Sequence, residues 1–242
     1  MALANEIVGW IRGEIEGAGL SGAVVGLSGG IDSAVVAGLC AQALGPEQVL
    51  GIAMPAHSSP DDVADARLIA EHWGIAYREV NLSGIFDACV EILPDGTQLA
   101  DANIKPRLRM ITLYHFANTL NRMVVGTGNR SELEVGYFTK HGDGGVDLLP
   151  LGSLLKVQVR ELAREIGVPE RIIARPPSAG LWKGQTDEDE LGITYEQLDE
   201  ALIALADGDT DHIRPEVLER VIGLYRGSAH KRRPAPVFVP AD

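Results

Sequence analysis

Cysteine is scarce: Cys40 and Cys89 are the only two in 242 residues, and they form no Cys-x-x-Cys pair. That count leaves no room for a disulfide framework or a thiolate metal centre. Both read as buried thiols in a reducing compartment, the cytoplasm. Basic side chains are also in deficit, with 21 Lys and Arg against 34 Asp and Glu and a net charge of −13. Such a balance opposes a broad nucleic-acid footprint, so no nucleic-acid partner is expected. An anionic ligand would need local basic residues set against the overall field. No apolar run reaches the ~18 residues of a membrane span. The N-terminal stretch MALANEIVGWIRGEIEG carries acids and lacks a basic leader region, so a signal peptide is not expected either. Repeats, low-complexity tracts and a dividing linker are missing. An apolar fraction of 45% with 23% charged residues suits one large soluble domain.

What the chain does have is the stretch Val24–Val35, VVGLSGGIDSAV. Apolar strand-type residues Ala23–Leu27 break into Ser28-Gly29-Gly30-Ile31-Asp32-Ser33, and a helical run, Ala34–Leu44, follows. A strand that turns through glycines into a helix aims free N–H groups and a helix N-terminus at one spot, and that spot favours anions. Gly29 and Gly30 permit close approach of a phosphate, Ser28 and Ser33 add hydroxyls, and Asp32 suits a cation bridging phosphate oxygens. An ordinary βα turn would use many of the same residues. The spacing matches neither the Walker loop nor the dinucleotide fingerprint.

The rest of the chain alternates. Residues 4–17 place Ile7, Trp10, Ile11 and Ile15 at helical spacing, with Gly17 and Gly19 ending the helix. Val49–Met54, Ala76–Val80 and Met123–Gly126 read as further strands. Helices are expected from Ser59, as cap, to Trp73; over Gly84–Ile92; and as one long element over Gln98–Asn121. This pattern predicts an α/β fold: an open parallel sheet with helices on both faces, plus a helical C-terminal segment at Leu154–Ile166, Tyr195–Ala206 and Glu216–Tyr225. Ligands of such sheets bind beyond the C-terminal strand ends, which puts Ser28–Ser33 and Thr127–Glu132 on one rim. Glu132 then either shares a cation with Asp32 or sits in the first turn of a helix capped by Ser131. Lys140, Asp143 and Asp147 lie in a Gly-dense stretch and are equally consistent with solvated loop residues. Residues 175–189, RPPSAGLWKGQTDED, read as a loop that orders on demand, with Trp182 either covering a site or packed on a helix.

SGGIDS resembles the pyrophosphate loop of the ATP pyrophosphatases, which cut ATP between the α and β phosphates. Taken together, SGGIDS, ANIKPRLRM, GTGNRSE, GYFTKHGDGGVDLLPL, PPSAGLW-x-GQTDE-x-ELG and HKR resemble the NAD synthetase family over nearly the whole chain and in the family's order. The resemblance implies an adenine nucleotide alpha-hydrolase-like fold in one domain, 1–242. It implies a carbon–nitrogen ligase that adenylates the carboxylate of deamido-NAD with ATP as co-substrate and then admits ammonia, releasing NAD, AMP and pyrophosphate. Residue by residue, Gly26, Leu27, Ser28, Gly29, Gly30, Ile31, Asp32 and Ser33 match the family's ATP loop, as Thr127, Lys156 and Ser178 match its other ATP contacts. Asp32 and Glu132 match its Mg²⁺ ligands. Arg107, Lys140, Asp147, His230 and Lys231 match its deamido-NAD contacts. Without the resemblance, His230-Lys231-Arg232-Arg233 reads as a solvated basic tail.

Adenylyl transfer runs mainly on positioning and charge neutralisation, with Asp32 and Lys156 in the leading roles. A closing loop at 175–189 would keep water from the adenylate. Asp143 is a candidate acceptor for the proton lost when ammonia attacks. Only about 22 residues precede the first strand, so no glutaminase is expected ahead of it, and neither cysteine has a neighbouring base for glutamine hydrolysis. The resemblance further implies a homodimer to which helix 98–121 contributes. Two other readings stay open: a different ligase or thiolase with the same pyrophosphate loop, and a nucleotide-binding module without turnover.

Overall fold

The computed structural model describes residues 1–178, 180–182 and 184–240. In chain order the elements are α1 (Ala2–Gly17), β1 (Ala23–Gly26), α2 (Ile31–Leu44), β2 (Val49–Ala53), α3 (Pro60–Trp73), β3 (Ala76–Glu79), α4 (Ser83–Ile92), α5 (Gln98–Ala102), α6 (Ile104–Leu120) and β4 (Met123–Val125). There follow α7 (Arg130–Val135), α8 (Lys156–Ile166), α9 (Glu170–Ile173), α10 (Asp187–Leu191), α11 (Tyr195–Asp207) and α12 (Pro215–Gly227).

The four strands form one parallel sheet in the order β3-β2-β1-β4. Ala23 pairs with both Val49 and Met123, so β1 is hydrogen-bonded on both edges. Side chains on a strand alternate between faces. Accordingly Ala23 and Val25 enter one core with α1, α2, α3, α8 and α9, whereas Val24 enters another with Met54, Leu113 and Ala117. Both faces are covered over β1, β2 and β4, as their unbroken apolar runs require, whereas the edge strand β3 is mostly exposed. A third cluster, Val135, Leu155, Leu191, Leu198, Leu202, Val217 and Val221, joins α7 and α10 to α11 and α12.

After β1 the chain moves outward to β2 and β3, then returns to lay β4 on the other side of β1. The reversal opens a crevice at the C-terminal ends of β1 and β4, where an open α/β sheet binds its ligands. The fold thereby carries the two loops expected on one rim to adjacent strand ends.

Several boundaries differ from expectation for local reasons. The helix after β1 starts at Ile31, so Asp32 and Ser33 belong to its first turn rather than to the loop. The helix expected over 98–121 is two, parted at Asn103. Pro106 supplies no N–H for the Ala102 carbonyl and crowds it, which interrupts the ladder there. Ser59 does cap α3, in a capping box with Asp62. Ser131 is no cap: Asn129 takes that place on α7 in a capping box with Glu132. Trp10 lies outside the buried stripe of α1 and is 42% exposed. Cys40 is buried as expected, and burial raises its thiol to about 12. Cys89, by contrast, is half-buried, because α4 buries none of its residues fully.

Close packing behind the crevice depends on Gly38, where a Cβ would come within 2.5 Å of the Trp73 ring. Trp73 is itself tied to α2 by a hydrogen bond from its indole to the Ala34 carbonyl at 3.0 Å. Gly38→Ala is therefore expected to destabilise by about 1–3 kcal/mol through overpacking, outweighing the ~1 kcal/mol gain in helix propensity. Urea unfolding followed by circular dichroism tests this; an unchanged or raised midpoint would contradict it.

Candidate active site

The loop after β1 is closed by its own serines. Ser33 Oγ donates to the Gly30 carbonyl at 2.9 Å, and Ser28 Oγ accepts from the Gly30 amide at 3.2 Å. Gly29 has φ +81°, and a Cβ there would lie 2.7 Å from the Asp62 carbonyl, so both conformation and space call for glycine. Arg175 backs the loop, pairing with Asp62 and, at 2.9 Å, with Asp65 on α3.

At the crevice the sheet brings together residues far apart in sequence. Lys156 Nζ lies 2.7 Å from Asp32 Oδ2 and 3.2 Å from Glu132 Oε1. Asn129 Nδ2 donates to Asp32 Oδ1 at 2.9 Å, while Asn129 also caps the helix that carries Glu132. Lys156 is 2% exposed and opens α8. Its backbone N–H donates to Ser131 Oγ at 2.9 Å, and the next amide, of Val157, donates to Asp199 Oδ2 at 3.0 Å. Ser131 in turn donates to Asp199. A carboxylate from α11 thus caps α8 and fixes the root of the lysine.

The charges are strongly coupled. Burial works against the charge on Lys156, but Asp32, Glu132 and Asp187 more than offset it, and the ammonium stays charged. Burial pushes Glu132 up to about 7, with Asp32 and Asp187 adding to the rise and Lys156 opposing it. One ammonium therefore does not neutralise the cluster. Two hard carboxylates converging on one cationic point, with negative charge left over, fit a divalent cation of the Mg²⁺ type that brings its own phosphate oxygens.

A second group of expected residues gathers around the turn at Thr139. Lys140 Nζ donates to the His230 carbonyl at 2.8 Å, and Arg107 Nη2 donates to the Lys140 carbonyl at 3.4 Å. Lys231 Nζ donates to the carbonyls of Gly136 and Phe138, each at 2.8 Å. Asp143 accepts from the Thr139 amide at 2.9 Å and feels the positive charges of Arg109 and Lys231. The tail His230-Lys231-Arg232 is thus docked rather than free: Arg232 also donates to the Glu134 carbonyl at 2.7 Å. Asp147 stands apart, accepting from Tyr114 at 2.8 Å and from the Val124 amide at 2.9 Å. Ser178 is turned into its own loop, donating to the Gln185 carbonyl at 2.8 Å. Thr127 is half-buried just beyond β4. Asp143 and Asp147 make no hydrogen bond to the Lys156 cluster among those described. Within the expected loop 175–189, Ala179 and Lys183 lie outside the described residues, and α10 begins at Asp187. Trp182 is half-buried.

Sequence reasoning passed over Asn129, Tyr137, Asp187, Tyr195 and Asp199. Asn129 was readable, because Asn followed three residues later by Glu is a capping-box pattern. The others act across 50 or more residues, or from helix starts that show no local sign of a site.

The profile of the NAD synthase family matches residues 3–235. The chain belongs to that family. It is 52% identical over 234 residues to the NH(3)-dependent NAD(+) synthetase of Carboxydothermus hydrogenoformans, covering 95% of this chain and 93% of that one. Among solved structures it is similar to an NMN synthetase from Francisella tularensis, with TM-score 0.90, 36% identity and coverage of 98% and 97%. It is also similar to the NH3-dependent NAD synthetase of Campylobacter jejuni, with TM-score 0.86, 28% identity and 98% coverage of both chains. Family membership agrees with the expected open parallel sheet and with the order of the sequence blocks.

Removing the shared ammonium would leave the Asp32 and Glu132 carboxylates facing each other. Lys156→Met is expected to cost about 3–5 kcal/mol in ligand-free protein, and Asn129→Ala about 1–2 kcal/mol through loss of the cap. Urea midpoints rank the two; a Lys156→Met protein no less stable than Asn129→Ala would contradict the shared ion pair.

Proposed function

We propose that this chain is an ammonia-dependent NAD synthetase, joining ammonia to the carboxylate of deamido-NAD at the expense of ATP. The observation that carries the reading is that the family's phosphate loop, Asp32, Glu132 and Lys156 coincide with one hydrogen-bonded cluster at the β1–β4 crevice. The loop amides and serine hydroxyls of Ser28–Ser33 receive phosphate, with Thr127 and Ser178 as further ATP contacts. The Lys156 ammonium offsets charge on the triphosphate. Asp32 and Glu132 would hold a divalent cation, which would supply charge neutralisation on the phosphates.

The acid substrate needs no activated nucleophile, since its carboxylate oxygen already attacks the α-phosphorus. The bond to the β-phosphate breaks and pyrophosphate leaves. Ammonia then adds to the acyl carbon, the bond to AMP breaks, and one proton is lost. Asp143 is the proposed acceptor of that proton, in a loop where burial raises its carboxyl. Arg107, Lys140, Asp147, His230 and Lys231 are the proposed contacts to the dinucleotide. Four of these are basic or neutral donors gathered in an otherwise acidic chain, as a pyrophosphate requires.

Residues 1–242 act in this reading as one catalytic domain, in the cytoplasm. No helix among the described residues is long and apolar enough to cross a membrane. The proposed homodimer has a suitable surface in α4, α5 and the helix after Asn103, where Ile85, Ile92, Leu99 and Ile111 are more than half exposed.

The likeness to the Francisella tularensis enzyme favours a second reading, in which the acid is the mononucleotide. Both readings share the chemistry and differ in the adenylate half that the basic group would contact. Product formation from deamido-NAD or nicotinate mononucleotide, each with ammonium or glutamine as sole donor, separates them. Turnover is expected with deamido-NAD and ammonium, and it should survive Cys40→Ala and Cys89→Ala. A strong preference for the mononucleotide would establish the second reading. Efficient glutamine use lost in either cysteine variant would overturn the ammonia assignment.

A further inference from the structure

Tyr195 opens α11 and is 1% exposed, among the largest fully buried side chains in the protein. Its hydroxyl lies 3.3 Å from Glu132 Oε1 and 3.0 Å from Asp187 Oδ2. Its ring faces Lys156 Nζ, 4.8 Å from the centroid, in cation–π contact. One side chain thus touches a candidate metal carboxylate and the cation that carboxylate shares.

Beyond Asp187 the contacts continue outward. Tyr137 OH lies 3.1 Å from Asp187 Oδ1 and 2.5 Å from Glu190 Oε2. Glu190 accepts from Gln185 Nε2 at 2.6 Å. Gln185 Oε1 accepts from the Leu181 amide at 2.7 Å, and Lys105, from the far side, holds the Leu181 carbonyl at 2.6 Å. A continuous line of polar contacts therefore runs from Glu132 through Asp187 and Glu190 to Gln185 and the Leu181 backbone.

A carboxylate that is to bind a hard cation must be presented in one orientation, and outer-shell partners do this for metal ligands generally. Burial and the surrounding carboxylates keep the Tyr195 phenol protonated, so it is a donor. It has a single proton for two acceptors, and the share reaching Glu132 depends on where Asp187 sits. Asp187 belongs to the first turn of α10, which Thr186 caps.

We propose that Tyr195 is a positioning residue for the divalent cation that Asp32 and Glu132 would hold, and that Asp187 makes this positioning depend on how residues 185–190 are packed against it. The inference rests on the metal assignment of the proposed function. Loss of the hydroxyl leaves Glu132 Oε1 held by Lys156 alone, while Oε2 keeps the Asn129 amide, so the carboxylate is less firmly oriented. Cation binding then weakens, and most of the lost turnover returns at high Mg²⁺.

The test uses Mn²⁺ as the probe, with the α,β-methylene analogue of ATP, and reads free Mn²⁺ by electron paramagnetic resonance. Wild type is compared with Tyr195→Phe, Asp187→Asn, the double variant and Asp32→Asn. Tyr195→Phe keeps the ring over Lys156 and should bind Mn²⁺ about tenfold more weakly, in the range of outer-shell losses at metal sites. Asp187→Asn should weaken it in the same direction, and the double variant should be little worse than Tyr195→Phe, as for two links of one line. Hydrogen exchange over 185–191 should quicken in Tyr195→Phe. Should Tyr195→Phe not fold, the Asp187→Asn affinity decides alone. Wild-type Mn²⁺ affinity in Tyr195→Phe, with a loss in Asp32→Asn, would overturn the inference and leave the metal site standing. Unchanged affinity in Asp32→Asn as well would overturn the metal assignment and the inference with it.

Discussion

One buried ammonium, on Lys156, holds the working end of this protein together. It draws Asp32 from the first turn of α2, after β1, and Glu132 from the first turn of α7, after β4, onto a single point. Taking such an ion out of water is costly, and only good geometry with further hydrogen bonds offsets the cost. The surroundings meet that demand: Asn129 holds the second oxygen of Asp32, Asp199 caps the helix that bears the lysine, and Tyr195 lies over the ammonium. The same excess of carboxylate that keeps Lys156 charged leaves the cluster short of positive charge. That charge imbalance is what the proposed divalent cation would offset.

The topology explains why the parts meet. β1 and β4 are neighbours in the sheet although about a hundred residues separate them, because the chain turns back after β3. The basic group around Thr139 lies on the loop that leaves β4, and the C-terminal tail folds back to join it through Lys231 and Arg232. The two candidate groups therefore share one loop system. Arg109 feels both Asp143 in the second group and Asp62, which backs the phosphate loop through Arg175.

Much of this was legible from the sequence because the signals are local. The strand-Gly-Gly-helix pattern at Val24–Val35 and the alternation of apolar runs with helical spacing depend on neighbours a few residues away. Asp32 and Glu132 were paired by reasoning that parallel strands end on one rim. What escaped were residues whose role is set by tertiary neighbours. Tyr195 looks like any helix-opening aromatic until Glu132 and Asp187 arrive at its hydroxyl. Asp199 is one acid in an amphipathic helix until α8 is docked on it. Trp10 fitted the helical stripe, but it lies off the buried face of α1 and is 42% exposed. The break at Asn103 was written in Pro106, and the continuous helical periodicity around it outweighed that sign.

At the centre of the proposed function, ATP is cut between its α and β phosphates beside Lys156, with the acid substrate's own oxygen as the nucleophile. Turnover of deamido-NAD carrying ¹⁸O in its carboxylate, with unlabelled water and ATP, tests this directly by mass spectrometry of the products. One ¹⁸O should appear in the phosphoryl group of AMP and none in pyrophosphate. Label in pyrophosphate or inorganic phosphate, or AMP without label, would contradict attack of that carboxylate on the α-phosphorus.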